Sequence, residues 1–449
     1  MPTHWTFLLA AVSAGCLVVL TITGIFLLFY YYPSNETVTY DGSYPLLRGA
    51  EVSRALDSTL HISFEVRSGL LMRQAHHWAA LVLPASLMLH MLSIFFTGGF
   101  RRPRQWGWVL LGVVFLLVLV GGWSGYALPD DSLSGTGLRV VQGLTLAVPL
   151  IGTWLTGLLF GGAFPGQIIA HLYWLHVLVV PLALVGVLAL RLRVLGKHRT
   201  AQFAGPGRSE HNDVGLPGTV AAVRAAGMLL ITMGVLFVMG GTLTVAPIWV
   251  YGPASSSDAS AGSQPDWYTG FLDGALRLVP PGWEVTWFGG TWPLGVLVPQ
   301  VIVGVFLLLV VTYPFLEAAF TGDRRAHHLL DRPRDVPNRT GIGVAGLVFF
   351  GTLWAAAGTD VIATVFHVAF ETQVYMLRVT LVAGPFFAYV LTRQICLGLQ
   401  ARDREVLDQG FETGTLQRAP DGGYVEVRAQ LSDAASAGSS RPNEPVGSR

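Results

Sequence analysis

The stretch that decides the fold is RQAHHWAALVLPASLMLHMLSIFFTGGF, residues 73–100. Its apolar part has about the 20 residues that an α-helix needs to cross a bilayer, and it carries His76, His77 and His90. Fourteen residues separate His76 from His90, and fourteen steps of 100° end about 40° short of four full turns. The sequence therefore predicts a membrane helix with two imidazoles on nearly one face, about 21 Å apart along its axis.

A third intramembrane histidine, His176, lies in LYWLHVLVVP, residues 172–181. An ionisable residue in a membrane segment indicates a functional site by default, because its burial in hydrocarbon is costly. Imidazole is a common axial ligand of haem iron, so His76 and His176 could hold a haem between two helices. The residues leave a simpler alternative open, in which these histidines are satisfied by carbonyl groups or water, and we favour that alternative for His77.

The composition is that of a membrane protein. The chain has 449 residues, of which 52% are hydrophobic and only 12% charged, well below the charge content of soluble domains. Cys16 and Cys396 both lie in predicted spans, which excludes a disulfide framework and a cysteine-based metal cluster. The net charge of +1 gives no indication of a nucleic-acid partner. Eight apolar segments are predicted to span the membrane: 7–31, 77–97, 107–128, 168–192, 219–249, 294–316, 341–358 and 374–399.

The distribution of charge predicts the orientation. Residues 101–105 and 191–208 contain several basic side chains and no acid, so we expect these connections in the cytoplasm. In the connections 129–138 and 250–292 the charged residues are mostly acidic, among them Asp258 and Asp266, so we expect these connections outside. Alternation over eight spans places both termini in the cytoplasm. The protein is therefore predicted to be a multi-pass protein of the cell membrane.

Several long motifs resemble one family. HHWAALVLPASLMLH (76–90), FFTGGFRRPRQWGW (95–108), GYALPDDSLSGTGLR (125–139) and LYWLHVLVVP are similar to the cytochrome b subunit of respiratory cytochrome bc complexes, in particular the actinobacterial menaquinol-oxidising type. QFAGPGRSEHNDVG (202–215), SAGSQPDWY (260–268) and LLDRPRDVPNRT (329–340) also match that type. The resemblance runs from about residue 3 to residue 427.

The resemblance implies an all-α transmembrane protein with the eight-helix cytochrome b fold. Residues 1–200 would form a four-helix haem bundle, 201–218 a cytoplasmic linker, and 219–400 a second helical bundle with an outer quinol-site loop. Residues 401–449 are polar and would form a largely disordered cytoplasmic tail, since such a composition buries little apolar surface.

The family also assigns the haem ligands. The histidines that fall on His76 and His176 hold the low-potential haem b near the outer face, and the one that falls on His90 binds the high-potential haem. The fourth ligand lies fifteen residues after the His176 position, where this sequence has Arg191. A guanidinium group has no free lone pair and cannot serve as an ordinary iron ligand. Two outcomes stay open: a five-coordinate haem on His90 with Arg191 near it, or no second haem. In either case Arg191 could simply extend to the cytoplasmic headgroups, and a further possible role is to pair with a haem propionate.

In the family the outer quinol-oxidation site usually carries the motif P-E-W-Y, and in actinobacterial members P-x-W-E. VPPGWEVTWF, residues 279–288, contains the second form, with Pro281, Trp283 and Glu284. Quinol oxidation releases protons, and a carboxylate beside an apolar pocket is a suitable acceptor. Glu284 is the catalytic residue that this motif predicts, and the alternative is a solvated loop acid.

The resemblance implies a menaquinol–cytochrome c reductase that oxidises menaquinol outside and contributes to the proton gradient. Its implied partners are a Rieske iron–sulfur subunit and a cytochrome c subunit, in a dimeric complex that can join cytochrome c oxidase in a supercomplex. Arg191 favours a second interpretation, a divergent paralogue that holds only the outer haem and does not bifurcate electrons. A third is a haem-binding membrane scaffold without turnover. A transporter would leave the histidine geometry unexplained.

Overall fold

The computed structural model describes residues 4–255 and 264–429. Within them, eight helices are long and apolar enough to cross a membrane, which confirms the predicted all-α transmembrane class. The motif SAGSQPDWY is described from Gln264 onwards, and Asp258 and residues 430–449 lie outside the described residues. The helices are α1 (Leu9–Leu28), α2 (Arg54–Phe64), α3 (Gly69–Phe96), α4 (Gln105–Ala127), α5 (Ser132–Leu146), α6 (Gly152–Phe160), α7 (Ile168–Leu195), α8 (Gly218–Thr242), α9 (Ile248–Tyr251), α10 (Gly270–Arg277), α11 (Leu294–Thr321), α12 (Pro337–Ala357), α13 (Thr359–Phe366) and α14 (Phe370–Gln409).

The described strands are short and pair in four two-stranded sheets outside the membrane helices. β1 with β2, β4 with β5 and β7 with β8 are antiparallel, and β3 with β6 is parallel. Their bounds are β1 (Thr37–Thr39), β2 (Glu51–Ser53), β3 (Gln202–Phe203), β4 (Val285–Trp287), β5 (Gly290–Trp292), β6 (Leu329–Leu330), β7 (Phe411–Arg418) and β8 (Tyr424–Ala429).

Several predicted boundaries differ from the structure, and in two spans the reason is that polar residues hid the helix ends. The span predicted to begin at 77 begins at Gly69, since Arg73 and Gln74 lower the apolar content of its first turns. Both side chains are buried, so the helix continues among other protein groups rather than lipid. The last predicted span, 374–399, extends over Phe370–Gln409 for the same reason.

Helix α7 contains a π-helical turn at Leu175–Val179, which includes His176. The cause lies in the sequence. Pro181 has no backbone N–H and its ring crowds the carbonyl one turn earlier, so the regular hydrogen-bond ladder cannot pass through it. The backbone N–H of Val180 donates to the carbonyl of Leu175, one residue further back than in an α-helix. Single π turns of this kind are frequent at functional sites.

The first four membrane helices share one core. Helix α1 packs on α3, α4 packs on α7, and α8 packs on both α1 and α3. Close approach is possible where side chains are small: Ser13 Oγ lies 2.8 Å from Ser86 Oγ across the α1–α3 contact. Small residues are the usual means by which membrane helices pack. Helix α8, predicted in the second bundle, thus lies directly against the histidine-bearing helix.

The chain divides into two compact units. One runs from the start of the described chain to Asp331 and includes Gly346–Pro385; the other comprises Arg332–Ala345 and the described residues from Phe386 onwards. In the second unit, residues 401–429 were predicted to be largely disordered. The structure instead continues α14 to Gln409 and adds the hairpin β7–β8. Arg428 of this hairpin forms an ion pair with Glu405 of the helix at 3.0 Å. Such a contact cannot be predicted from composition.

Candidate haem-binding and quinol-binding site

His76 of α3 and His176 of α7 face each other. Their ring centroids are 6.1 Å apart and the ring planes are inclined at 63°. A metal–imidazole bond is about 2.0 Å long and the nitrogen lies about 1.1 Å from the ring centroid, so two imidazoles on one metal have centroids about 6 Å apart. The spacing of this pair therefore fits a metal ion between the two rings.

The tautomer of His76 is fixed by Thr23 of α1. Thr23 Oγ1 lies 2.6 Å from the carbonyl oxygen of Val19 and 2.9 Å from Nδ1 of His76. Because the hydroxyl donates its one proton to the carbonyl, it accepts from the imidazole, and Nδ1 carries the hydrogen. Nε2 is then the unprotonated nitrogen, which is the one available to a metal.

His176 is held in the same tautomer by a different oxygen. Its Nδ1 lies 2.9 Å from the carbonyl oxygen of Gly121 in α4. A carbonyl can only accept, so Nδ1 of His176 donates and Nε2 is unprotonated. Histidines that bind metals usually donate their other ring N–H to such an oxygen, which fixes the ring and increases its basicity. Both rings of the pair have this support.

Two glycines make room for the two rings. A Cβ atom at position 125 would lie 2.5 Å from Cε1 of His176, and one at position 24 would lie 3.3 Å from Cε1 of His76. Gly125 therefore cannot carry a side chain without displacing the ring of His176. The sequence showed small residues at the end of α4; their specific contact with the imidazole required the structure.

Arg73 provides a group suited to an anionic substituent near this pair. It precedes His76 by three residues, so both side chains lie on one side of α3. Its Nη1 donates to the carbonyl of Ala246 at 3.1 Å, while its buried Nε and Nη2 have no hydrogen-bond partner in the part of the chain that the structure describes. A guanidinium edge with two unpaired donors fits a carboxylate such as a haem propionate.

A second group of polar residues lies on the neighbouring side of α3. His77 Nε2 lies 2.9 Å from Oδ1 of Asp266, and the hydroxyl of Tyr268 donates to the other carboxylate oxygen at 2.9 Å. Burial raises the pKa of Tyr268 well above its usual range, so the phenol keeps its proton and acts as donor. Gly122 accommodates this phenol, since a Cβ there would lie 2.6 Å from its oxygen. His77 is thus satisfied by a carboxylate rather than by a backbone carbonyl or water.

The predicted quinol-site residues Pro281, Trp283 and Glu284 lie in a different environment. They precede β4, the first strand of an exposed hairpin, and all three are exposed. The carbonyl of Trp283 accepts from the N–H of Gly295 at 2.9 Å, which ties this turn to the start of α11. Their role stays a prediction.

Asp266 is the residue that the sequence reasoning missed. The signal was present, because Pro265, Asp266, Trp267 and Tyr268 match the family motif P-E-W-Y with aspartate in place of glutamate. The indole N–H of Trp267 donates to the carbonyl of Leu81 in α3 at 3.2 Å, which holds the motif against the histidine helix. Only 13% of the Asp266 side chain is exposed.

The third predicted haem ligand, His90, has no such support. Its buried Nδ1 has no hydrogen-bond partner among the described residues. Arg191 lies close enough for its charge to act on His90, and its Nε donates to the carbonyl of Gly107 in α4 at 3.1 Å. No second imidazole therefore pairs with His90 among the residues that the structure describes.

Comparisons with known proteins agree with the motifs. The family model described as cytochrome b (N-terminal)/b6/petB matches residues 81–253. The cytochrome bc1 complex cytochrome b subunit of Streptomyces coelicolor is 42% identical over 433 residues, 96% of this chain and 79% of that protein. The corresponding subunit of Mycobacterium tuberculosis is 47% identical, over 96% and 78%. A hyperthermophilic respiratory complex III structure shares the fold, with a TM-score of 0.65, 18% identity, and coverage of 89% and 93%.

Proposed function

Because the chain belongs to the family of cytochrome b subunits of cytochrome bc1 complexes, we propose that it forms the quinol-oxidising membrane subunit of a menaquinol–cytochrome c reductase. The observation that carries this proposal is the His76–His176 pair, with ring centroids 6.1 Å apart and both Nδ1 atoms bonded to oxygen. Two pre-oriented imidazoles inside a membrane bundle suit one cofactor class, a haem with two axial histidines.

His76 and His176 would hold the iron through Nε2, and Arg73 would pair with a propionate. A haem b in this position supplies one-electron redox chemistry within the membrane. The chain's own contribution is to orient the two rings through Thr23 and the carbonyl of Gly121, and to keep water away from them. Hydrogen bonds of this kind also set the electron-donating strength of the ligands.

Oxidation of one menaquinol to menaquinone releases two electrons and two protons. In a bifurcating enzyme one electron passes to a Rieske iron–sulfur protein and the other to the haem. We propose that Asp266 accepts a quinol proton, since its carboxylate is largely buried and lies against the histidine helix. A general base must lie within hydrogen-bond reach of the proton that it takes. Glu284 is the second candidate, on the strength of its motif.

Family membership supports a proposal for the orientation and the partners. The site at His76 would face outwards, both termini would lie in the cytoplasm, and the protons would be released outside the cell membrane. The partners would be the Rieske subunit and a cytochrome c subunit, in a dimeric complex able to associate with cytochrome c oxidase. The cytochrome bc1 relatives are themselves named as subunits of a complex.

The test uses the purified membrane complex with a menaquinol analogue as donor and cytochrome c as acceptor. The native complex is expected to show a b-type haem and quinol–cytochrome c reductase activity. His76→Ala and His176→Ala should each lose that haem and the activity. His198→Ala, at the turn that follows α7, is the matched control and should retain both. A His176→Ala complex with its b-type haem spectrum intact would contradict the proposal.

A second candidate function is favoured by one observation, Arg191 in place of an imidazole beside His90. In this alternative the chain is a divergent relative that holds one haem, without bifurcation or as a scaffold. Reductase activity separates the enzyme from the scaffold, because a scaffold binds haem in the same native complex and shows no turnover. The number of haems per chain separates a one-haem enzyme from a bifurcating one.

A further inference from the structure

The surroundings of the His76–His176 pair, called the first position, can be compared with the surroundings of His90, called the second position. Gly24 and Thr23 of α1 lie beside His76, and Ser13 of the same helix bonds to Ser86 further along α3. Numbers fall along α1 as they rise along α3, so the two helices are antiparallel. Helices α4 and α7 are antiparallel as well, since Gly125 meets His176 and Gly107 meets Arg191.

This antiparallel arrangement allows the first position to be translated onto the second. His76 and His90 are 14 residues apart, about 21 Å along the helix. The same displacement leads from Gly24 to Ala10 on α1 and from Gly125 to Leu111 on α4. On α7 it leads from His176 to Leu190 and its neighbour Arg191. The first position is made up of His76, His176, Gly24 and Gly125. Of these four residues, the second position retains only a histidine, His90.

Leu111 occupies the place of a glycine that the first position needs. A Cβ at Gly125 already lies within 2.5 Å of the facing ring. Leu111 carries a full isobutyl side chain, is 2% exposed, and belongs to the main core cluster together with Leu87 and Met91. A well-packed core has few voids larger than a water molecule, so the buried side chain of Leu111 fills the place on α4 that corresponds to Gly125.

Arg191 links α7 to α4 at the level of the second position. Its Nε donates to the carbonyl of Gly107, and at this level Leu195 of α7 packs so closely on α4 that a Cβ at Gly107 would lie 2.6 Å from Cδ2 of Leu195. A protonated guanidinium has no lone pair for iron. It also places a positive charge near His90, where the first position has a neutral imidazole.

His90 differs from the first pair in its own hydrogen bonding. Nδ1 of His76 and Nδ1 of His176 each donate to an oxygen, whereas the buried Nδ1 of His90 has no partner in the described part of the chain. A metal-bound histidine without this second contact is unusual, because the contact orients the ring. Three independent features thus fail at the second position: the opposing ligand, the glycine space and the ring support.

We infer that this chain binds a single haem, between His76 and His176, and that the second haem position of the bundle is closed by Leu111 and Arg191. The inference rests on the proposed haem function of the first pair. An electron that enters the haem from quinol then has no second haem within the chain to which it can pass.

The first test is the number of b-type haems per chain in the native purified complex, by pyridine haemochrome, with a potentiometric titration. We expect one b haem and one b-type midpoint. Two b haems with separate midpoints would overturn the inference and leave the proposed function intact. The absence of any b haem, or a single b haem that survives His176→Ala, would overturn the proposed function instead.

The second test restores the missing features together, in the variant Ala10→Gly/Leu111→Gly/Arg191→His. It should bind two haems per chain, with a second midpoint. The matched control, Ala10→Gly/Leu111→Gly/Arg191→Gln, opens the same space without an imidazole and should stay at one. A correctly assembled triple variant that also stays at one would contradict the closure by these residues.

A third measurement covers the case in which the triple variant does not assemble. His90→Ala in the native chain should leave the haem content, the absorption spectrum and the midpoint unchanged, because His90 holds no iron. Loss of a haem in His90→Ala would overturn the inference directly.

Discussion

Thr23 and His76 are joined by a hydrogen bond of 2.9 Å, from Nδ1 of the imidazole to the hydroxyl oxygen of the threonine. The bond crosses from α1 to α3 and makes Nδ1 the protonated nitrogen of His76, which leaves Nε2 unprotonated. It is a contact between a membrane helix that carries no histidine and one that carries three. Helix α1 therefore contributes to the chemistry of the site without contributing a ligand.

Thr23→Val tests this contribution, because valine has nearly the same shape and no acceptor. His76 would become a weaker donor to iron, so we expect a more positive haem midpoint potential; tenfold less preference for the oxidised iron corresponds to about 59 mV. Haem affinity should fall about 10- to 100-fold, the usual effect of losing such a partner. Redox titration of the purified complex and haem retention on dilution measure the two effects.

Thr21→Val is the control for this substitution. Thr21 lies two residues away on α1, is exposed, and donates only to the carbonyl of Leu17 at 2.8 Å. It should leave midpoint and haem content unchanged. Equal shifts in both variants would mean that the effect comes from the packing of α1 and not from the bond to His76.

Gly125→Ala is predicted to expel the haem from the first position. The new methyl group would lie 2.5 Å from Cε1 of His176, so the ring must move off its axis. Overpacking of this kind costs about 1–3 kcal/mol, which corresponds to roughly 5- to 150-fold in affinity. Haem content of the purified variant is the measurement.

Gly186→Ala is its control on α7. A Cβ at Gly186 meets no atom within 4 Å, and alanine is favoured over glycine inside a helix by about 0.5–1 kcal/mol. Haem content and thermal stability should be equal to or above those of the native chain. If Gly125→Ala bound haem as well as Gly186→Ala, the proposed fit of the ring against α4 would be wrong.

The membrane spans and the pairing of two histidines could be predicted from the sequence. The eight spans follow from apolar length alone, and the structure confirms them. The paired position of His76 and His176 was predicted from the family motifs and helix periodicity, and the structure brings the two rings to 6.1 Å. Both features depend on local pattern or on long matching motifs.

The contacts that complete the site were not predictable in this way. His77 and Asp266 are 189 residues apart in sequence, and no periodicity links a helix to a loop at that distance. The P-x-W-E form of its motif predicted Glu284, whereas the burial of Asp266 is not visible in a sequence. Leu111 likewise is an ordinary apolar residue in the sequence, and only the structure shows that its position corresponds to that of Gly125.

Asp266→Asn distinguishes the two candidate proton acceptors. The amide retains the size of the side chain and cannot accept a quinol proton, so we expect kcat for menaquinol oxidation to fall about 10²-fold, within the usual range for loss of a general base. Haem content should not change. Glu284→Gln, which alters an exposed residue, should retain most of the activity.

Measuring both variants in the same assay decides which of the two residues accepts the quinol proton. A large loss in Glu284→Gln with normal turnover in Asp266→Asn would restore Glu284 as the catalytic residue and reduce Asp266 to a partner of His77. Steady-state rates over a range of quinol concentrations separate a loss in kcat from a change in KM.

Glu210 should make the connection between α7 and α8 sensitive to acid. Partial burial works against its charge, but the backbone N–H groups of His328 and Leu329, together with the His327 and His328 side chains, hold the pKa of this carboxyl below its ordinary value of 4.5. The bond to Leu329 is 3.0 Å and lies beside the β3–β6 pairing. Burial also lowers the pKa of His327 and His328, so both are neutral at pH 7.

A lowered folded-state pKa stabilises the tie above pH 4.5, and that stabilisation is lost as the pH falls through the folded value. Hydrogen exchange of the His328 and Leu329 amides, corrected for intrinsic rates, should therefore be slow at pH 7 and faster at a pH well below 4.5. Glu210→Gln should exchange faster at pH 7 and lose the pH dependence. Glu36→Gln, which removes the exposed partner of Arg54, should match the native chain at these amides. Native amides that exchange equally at both pH values would show that the Glu210 carboxylate does not hold this strand.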